Sequence, residues 1–206
     1  MWLRVRTLLI LSLIVIVLGT LGCLADSDTS ADTSNSTQNN AKSLSDLGFA
    51  PCGWMGDTDN IVFDDTFQSM DSRSDETESI IRIEYKPNST DKDKWAGIYW
   101  LLPECNWGDD PGIDITNFST LSFKVKGDKG GEKMEFKVGG IEGKYFDSIS
   151  PAKTTDLLIL TNEWKKYSID LKNNDLSHVL GGFCWVTKSQ DNQNGCILYL
   201  KEIVYE

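Results

Sequence analysis

The chain has 206 residues, 40% of them hydrophobic and 10% aromatic, enough for one folded domain with unfolded chain beside it. Its formal net charge is -11, with 31 acidic side chains against 20 basic ones. So acidic a surface repels phosphate backbones and anionic lipid head groups, which excludes nucleic acid as a natural partner and leaves neutral or cationic ligands.

Arg4 and Arg6 are the only charged residues before Ala25, and Leu8 to Leu21 is almost wholly apolar (LLILSLIVIVLGTL) before Gly22-Cys23. A basic segment, an apolar run and a small residue are the order of an export signal. A cysteine in this place resembles a prokaryotic lipoprotein site, which implies lipid on the thiol of Cys23. Thr20 and Leu21 depart from the usual residues before such a cysteine. Left uncut, the run from Thr7 to Ala25 is long enough to span a bilayer, and free secretion is the third route. All three place the remainder of the chain outside the cytoplasm, and the first two tether it to the membrane. Residues 1–23 are therefore read as signal or anchor. The stretch Ala25–Ser43 has no apolar residue larger than alanine, so residues 24–46 are read as a flexible polar linker.

From residue 47 to residue 206 the pattern changes to two-residue alternation. Ile81, Ile83 and Tyr85 alternate with Arg82 and Glu84. The same alternation runs through Leu121-Phe123-Val125, Met134-Phe136-Val138 and Tyr167-Ile169-Leu171. Each predicts a strand with one face in a core and the other in solvent. Further strands are expected near Ile61–Asp65, Trp95–Leu101, Asp156–Leu160, Gly182–Thr187 and Cys196–Tyr205, and one helical turn over Asn173–Val179. Glycine- and asparagine-rich turns separate them, as at Gly127–Gly131 and Asp191–Gly195. About nine short strands so punctuated predict an all-β, jelly-roll β-sandwich.

Setting Cys23 aside leaves four cysteines, which allow three pairings in an exported domain. Cys184 and Cys196 flank a polar turn and are favoured as one disulfide, leaving Cys52 with Cys105. Catalysis has little support. His178 is the sole histidine, Ser177 and Asp175 lie beside it, and no G-x-S-x-G elbow is present. Glu132 and Glu135 fall on opposite faces of their strand, not as the facing pair that glycoside hydrolysis needs. The chain is read as a non-enzyme.

Six tryptophans occur after residue 50: Trp54, Trp95, Trp100, Trp107, Trp164 and Trp185. Indole rings stack on the apolar faces of sugars while polar neighbours meet the hydroxyls, and WAGIYW (95–100) followed by NWGDD (106–110) supplies that mixture. Alternation places Tyr99 and Trp100 on opposite faces of their strand. The run from Phe49 to Glu206 resembles carbohydrate-binding modules of galactose-binding-domain-like β-sandwich fold, family 11 modules being a comparable case. The carrying segments are GWMGDTDNIVFDD (53–65), WAGIYW, NWGDDPGIDIT (106–116), LSFKVKGDKGGEKMEFKVGG (121–140), EWKKYSIDL (163–171), GGFCWV (181–186) and ILYLKEIVYE (197–206). The resemblance implies a monomeric, non-catalytic module that binds a polysaccharide on a concave sheet and touches the membrane only through its N-terminus. Trp100, Asn106, Trp107, Glu135, Lys137 and Trp185 are the implied glycan contacts, Glu135 and Lys137 because alternation points them away from the core. No cofactor is required, but such sandwiches often hold a structural calcium at one edge. Asp64, Asp65 and Glu202 are the implied oxygen ligands, with Lys201 standing where the family commonly has a further acid. The alternative is a structural or protein-interaction module of the cell envelope, with the aromatics in the core.

Overall fold

The structure, a computed structural model, describes residues 41–67, 79–88 and 94–206. The expected signal or anchor, Cys23 and most of the linker lie outside these residues. Among the described residues twelve strands form two antiparallel sheets: β1 (Lys42–Ser43), β2 (Ala50–Gly56), β3 (Ile61–Phe67), β4 (Ile80–Tyr85), β5 (Trp95–Leu101), β6 (Thr120–Gly127), β7 (Lys133–Val138), β8 (Lys153–Thr154), β9 (Leu158–Ile159), β10 (Lys165–Asp170), β11 (Gly181–Lys188) and β12 (Cys196–Tyr205). The first sheet runs β10-β6-β12-β4-β3, with β1 also on β12. The second runs β2-β5-β11-β7-β8, with β9 also on β7.

Alternation turns one face of each sheet toward a shared core. Ile83, Phe123, Val125, Leu198 and Leu200 come from the first sheet, and Ile98, Trp100, Phe136, Phe183 and Trp185 from the second. Phe123, Phe136 and Phe183 meet with ring centroids 4.6, 5.2 and 5.6 Å apart. The Tyr205 hydroxyl crosses the interior and donates to the Gly182 carbonyl at 2.6 Å, so the buried phenol has its partner.

Several expectations are corrected. Ordered pairing among the described residues extends ahead of residue 47: Lys42 and Ser43 pair with Tyr205 and Val204. Ser43 then caps the short helix α1 (Leu44–Leu47), its side chain accepting from the Asp46 N–H at 3.1 Å while Asp46 accepts from Ser43 N–H. Such a capping box satisfies donors at the helix start that have no partner within the helix. Of the strand expected over Asp156–Leu160 only Leu158–Ile159 (β9) is paired, and a separate two-residue strand, β8, precedes that range. Asn173–Val179 forms no helical turn; Val179 instead makes an antiparallel bridge with Ile113. Cys52 and Cys105 are joined as expected, but Cys184 and Cys196 are separate buried thiols. They sit in different sheets, and sheets stacked about 10 Å apart exceed the Cα separation a disulfide spans.

Candidate functional site

β11 is covered on both sides. Phe183 and Trp185 point into the shared core. On the other side Cys184 packs with Tyr99, Leu101, Ile141 and Leu180, flanked by Met55, Tyr145 and Val186. This second cluster is the floor of a platform on the outward face of the second sheet. Register lays two rows across it. One passes Met55, Gly97, Val186 and Glu135; the other passes Gly53, Tyr99, Cys184, Lys137 and Thr154. With strands about 4.8 Å apart, Gly53 to Lys137 measures about 14 Å across the sheet.

Trp107 stands at one end of the second row. It is 42% exposed, its ring meets Tyr99 edge-on at 5.9 Å, and its Cζ2 lies 3.0 Å from where a side chain on Gly53 would begin. Glycine at 53 therefore leaves the seat for the indole. Tyr145 stands beside this end, its N–H donating to the Gly108 carbonyl at 2.9 Å. Trp95, 41% exposed, shares the face of Gly97 and Tyr99 by strand parity. At the other end Lys137 and Glu135 form a 3.3 Å ion pair, both partly open to solvent. The arrangement offers flat apolar rings at one end and hydrogen-bonding charges at the other.

Two buried groups hold this floor. The Tyr99 hydroxyl donates to the Gly139 carbonyl at 2.9 Å, and burial, reinforced by Cys184 and Asp147, raises its pKa above the ordinary tyrosine value. Asp147 accepts from the N–H groups of Ile141, Leu180 and Gly181. Burial raises its pKa despite those bonds.

Of the six implied glycan contacts, three are brought to this face: Trp107, Glu135 and Lys137. Trp100 and Trp185 are corrections. They are only 3% and 0% exposed and lie between the sheets, because strand parity turns Tyr99, not Trp100, outward. Asn106 is a correction too, since it is buried and saturated within its own loop. Its Oδ1 accepts from the N–H groups of Gly108, Asp109 and Asp110, and its Nδ2 donates to the carbonyls of Leu102 and Asp110. Tyr145 carries no signal in the sequence, where it lies in a loop without periodicity. Tyr99 is legible there only as the opposite of Trp100.

Asp64, Asp65 and Glu202 do not fit a calcium ion. Asp64 belongs to the edge strand β3 and accepts from Thr66 N–H at 3.0 Å. Glu202 belongs to β12, two strands away, and pairs with Lys124 at 2.7 Å. Among the described residues the one group of three close metal-ligand side chains is Cys52, Glu104 and Cys105, and its sulfurs are already bonded. A hydrolytic triad does not assemble either: Ser177 Oγ lies 2.9 Å from His178 Nδ1, but the Asp175 carboxylate accepts from the Ser177 N–H.

Two antiparallel sheets around a shared core make this a β-sandwich. Residues 47–181 match the sequence model of carbohydrate binding domain 30, and the chain belongs to that family. It is a binding module, not an enzyme, and its ligand is a glycan. A solved family 30 carbohydrate-binding module superposes with a TM-score of 0.52 at 12% identity, covering 81% of this chain and 98% of that one. A second, from a cellulosomal cellulase of Clostridium thermocellum, gives 0.49 at 14% identity, covering 77% and 93%. A family 11 module from a cellulosomal cellulase of the same organism gives 0.48 at 13%, covering 77% and 88%. No curated protein matches. The carbohydrate-binding sandwich expected from the sequence is thus present, with family 30 in place of the family 11 used as comparison.

Proposed function

We propose that a polysaccharide chain lies across the outward face of the second sheet, stacking on Trp107 and bonded through its hydroxyls to Glu135 and Lys137. The observation that carries this is the exposed indole of Trp107, seated on Gly53 and Tyr99 and in the same row as Lys137. Tyr145 and Trp95 extend the aromatic surface. Stacking and hydrogen bonding account for this binding without a cofactor. Affinity electrophoresis of the full chain in gels containing soluble β-glucans, pectins or cell-wall polymers tests it. Retardation by one polymer, unchanged by EDTA and weakened in Trp107→Ala, is the expected result. Absence of retardation by all of them, or equal retardation of Trp107→Ala, refutes it.

The same proposal places the module outside the cytoplasm as a monomer, held at the membrane by lipid on Cys23 or by the uncut apolar segment. The apolar run before Gly22-Cys23 and the polar stretch after it support this. The acidic surface argues against nucleic acid as a partner. The N-terminal mass of protein recovered from membranes separates the two anchors, and recovery only as free secreted protein refutes both.

A further inference from the structure

Trp107 sits in a loop, yet stacking needs a ring held in place before the sugar arrives. The loop's attachment is unusual. In the β2–β5 ladder Pro51 pairs with Trp100 and Gly53 with Tyr99, so Cys52 between them is an extra, unpaired residue. Such a bulge re-aims its side chain, and Cys52 is bonded to Cys105, with their Cα atoms 5.0 Å apart. Cys105 has φ of 59°, a left-handed conformation that its side chain disfavours. Local preference therefore does not hold the loop here. The disulfide holds it on one side. On the other, Asn106 gathers three N–H groups and two carbonyls of the loop.

The two cysteines are close in sequence to the two halves of the stacking contact. Cys52 precedes Gly53, the seat, and Cys105 is two residues before Trp107, the ring that rests on it. The Gly108 carbonyl then accepts from Tyr145 N–H, which carries the fixation to the neighbouring loop. We propose that the Cys52–Cys105 disulfide and Asn106 are positioning residues that clamp Trp107 against its seat, so that glycan affinity depends on the bond being closed. The inference rests on the reading of Trp107 as a stacking residue. Cys105 is exposed, so a soluble reductant reaches the bond, whereas Cys184 and Cys196 are buried and do not exchange with it in the folded state.

The full chain is compared oxidised, after treatment with dithiothreitol, and as Asn106→Ala with the bond intact, each also in a Trp107→Ala background. Dithiothreitol converts the bond to two thiols and is itself oxidised to its cyclic disulfide. The readouts are affinity for the polymer that retards the wild type and far-ultraviolet circular dichroism. The clamp predicts affinity about tenfold weaker after reduction and in Asn106→Ala, the order of the cost of ordering one residue on binding. It also predicts unchanged circular dichroism and no further loss in the Trp107→Ala background. Equal affinity of the oxidised and reduced forms, with Trp107→Ala weakened, overturns the clamp alone. So does an undiminished loss on reduction in the Trp107→Ala background, which marks a general structural role. Wild-type affinity in Trp107→Ala overturns the stacking reading and the clamp with it. If reduction unfolds the chain, Asn106→Ala decides by the same criteria.

Discussion

Replacing Trp107 with alanine separates a ring offered to ligand from a ring that builds the fold. Trp107 leaves 42% of its surface to solvent; for a side chain of up to about 250 Å² this is about 100 Å². A sugar stacked on one indole face covers about half of it. At about 25 cal/mol per Å² the loss is about 1.3 kcal/mol, or about tenfold in Kd. The half already packed on Tyr99 and Gly53 is at the rim of the second cluster, so stability should move by less than about 1 kcal/mol. Isothermal titration with an oligosaccharide of the polymer that retards the wild type gives Kd, and thermal unfolding gives stability. Wild-type affinity, or a loss fully explained by unfolding, refutes the reasoning.

Trp185→Ala should behave in the opposite way. Its side chain is wholly buried, so the cavity should cost about 3–5 kcal/mol by urea unfolding, with affinity kept in whatever fraction remains folded. Glu84→Gln should lower stability at neutral pH. Hydrogen bonds from Lys86 and Arg82 hold the Glu84 carboxyl below its ordinary pKa, so its contribution is present above about pH 4.5 and is lost as pH falls through the depressed value. Melting curves of the two proteins should therefore converge in acid. For Asp147 the sign reverses. Burial raises its pKa, so the native state binds the proton more readily than the unfolded chain, and its contribution to stability falls as pH rises from about 4 through the raised value. Cys184 and Cys196 should resist iodoacetamide at neutral pH in the folded protein and react on denaturation, read by peptide mass mapping. Burial pushes the Cys196 thiol up to about 12, and that of Cys184 up as well.

Alternation makes β4, β6, β7 and β10 legible, because each has one dry and one wet face. β2 is not, since APCGWMG carries a proline, two glycines and a cysteine, and its strand character comes from pairing with β5. The same limit misleads the choice of tryptophans. GGFCWV is covered on both sides, so no polar alternation marks Trp185 as inward-facing. WAGIYW fixes that Tyr99 and Trp100 diverge, but not which meets the other sheet. Glu135 and Lys137 are legible as outward-facing because Met134, Phe136 and Val138 fix the inward side. The calcium expectation and the Cys184–Cys196 pairing both depend on which strands are neighbours in a sheet, and strand order is set by long-range packing that spacing along the chain does not encode.

Lys42 and Ser43 join the fold on the first sheet, beside its C-terminal strand, while Trp107, Glu135 and Lys137 stand on the far side of the second. Tension along the chain ahead of Lys42 is thus delivered to the layer that carries none of these three residues. It peels a ladder only two residues long before it reaches Leu44 and Phe49, which are anchored in the interior. A pull of this kind opens the two-residue ladder first and meets β2, whose Gly53 seats Trp107, only after Leu44 and Phe49 have given way.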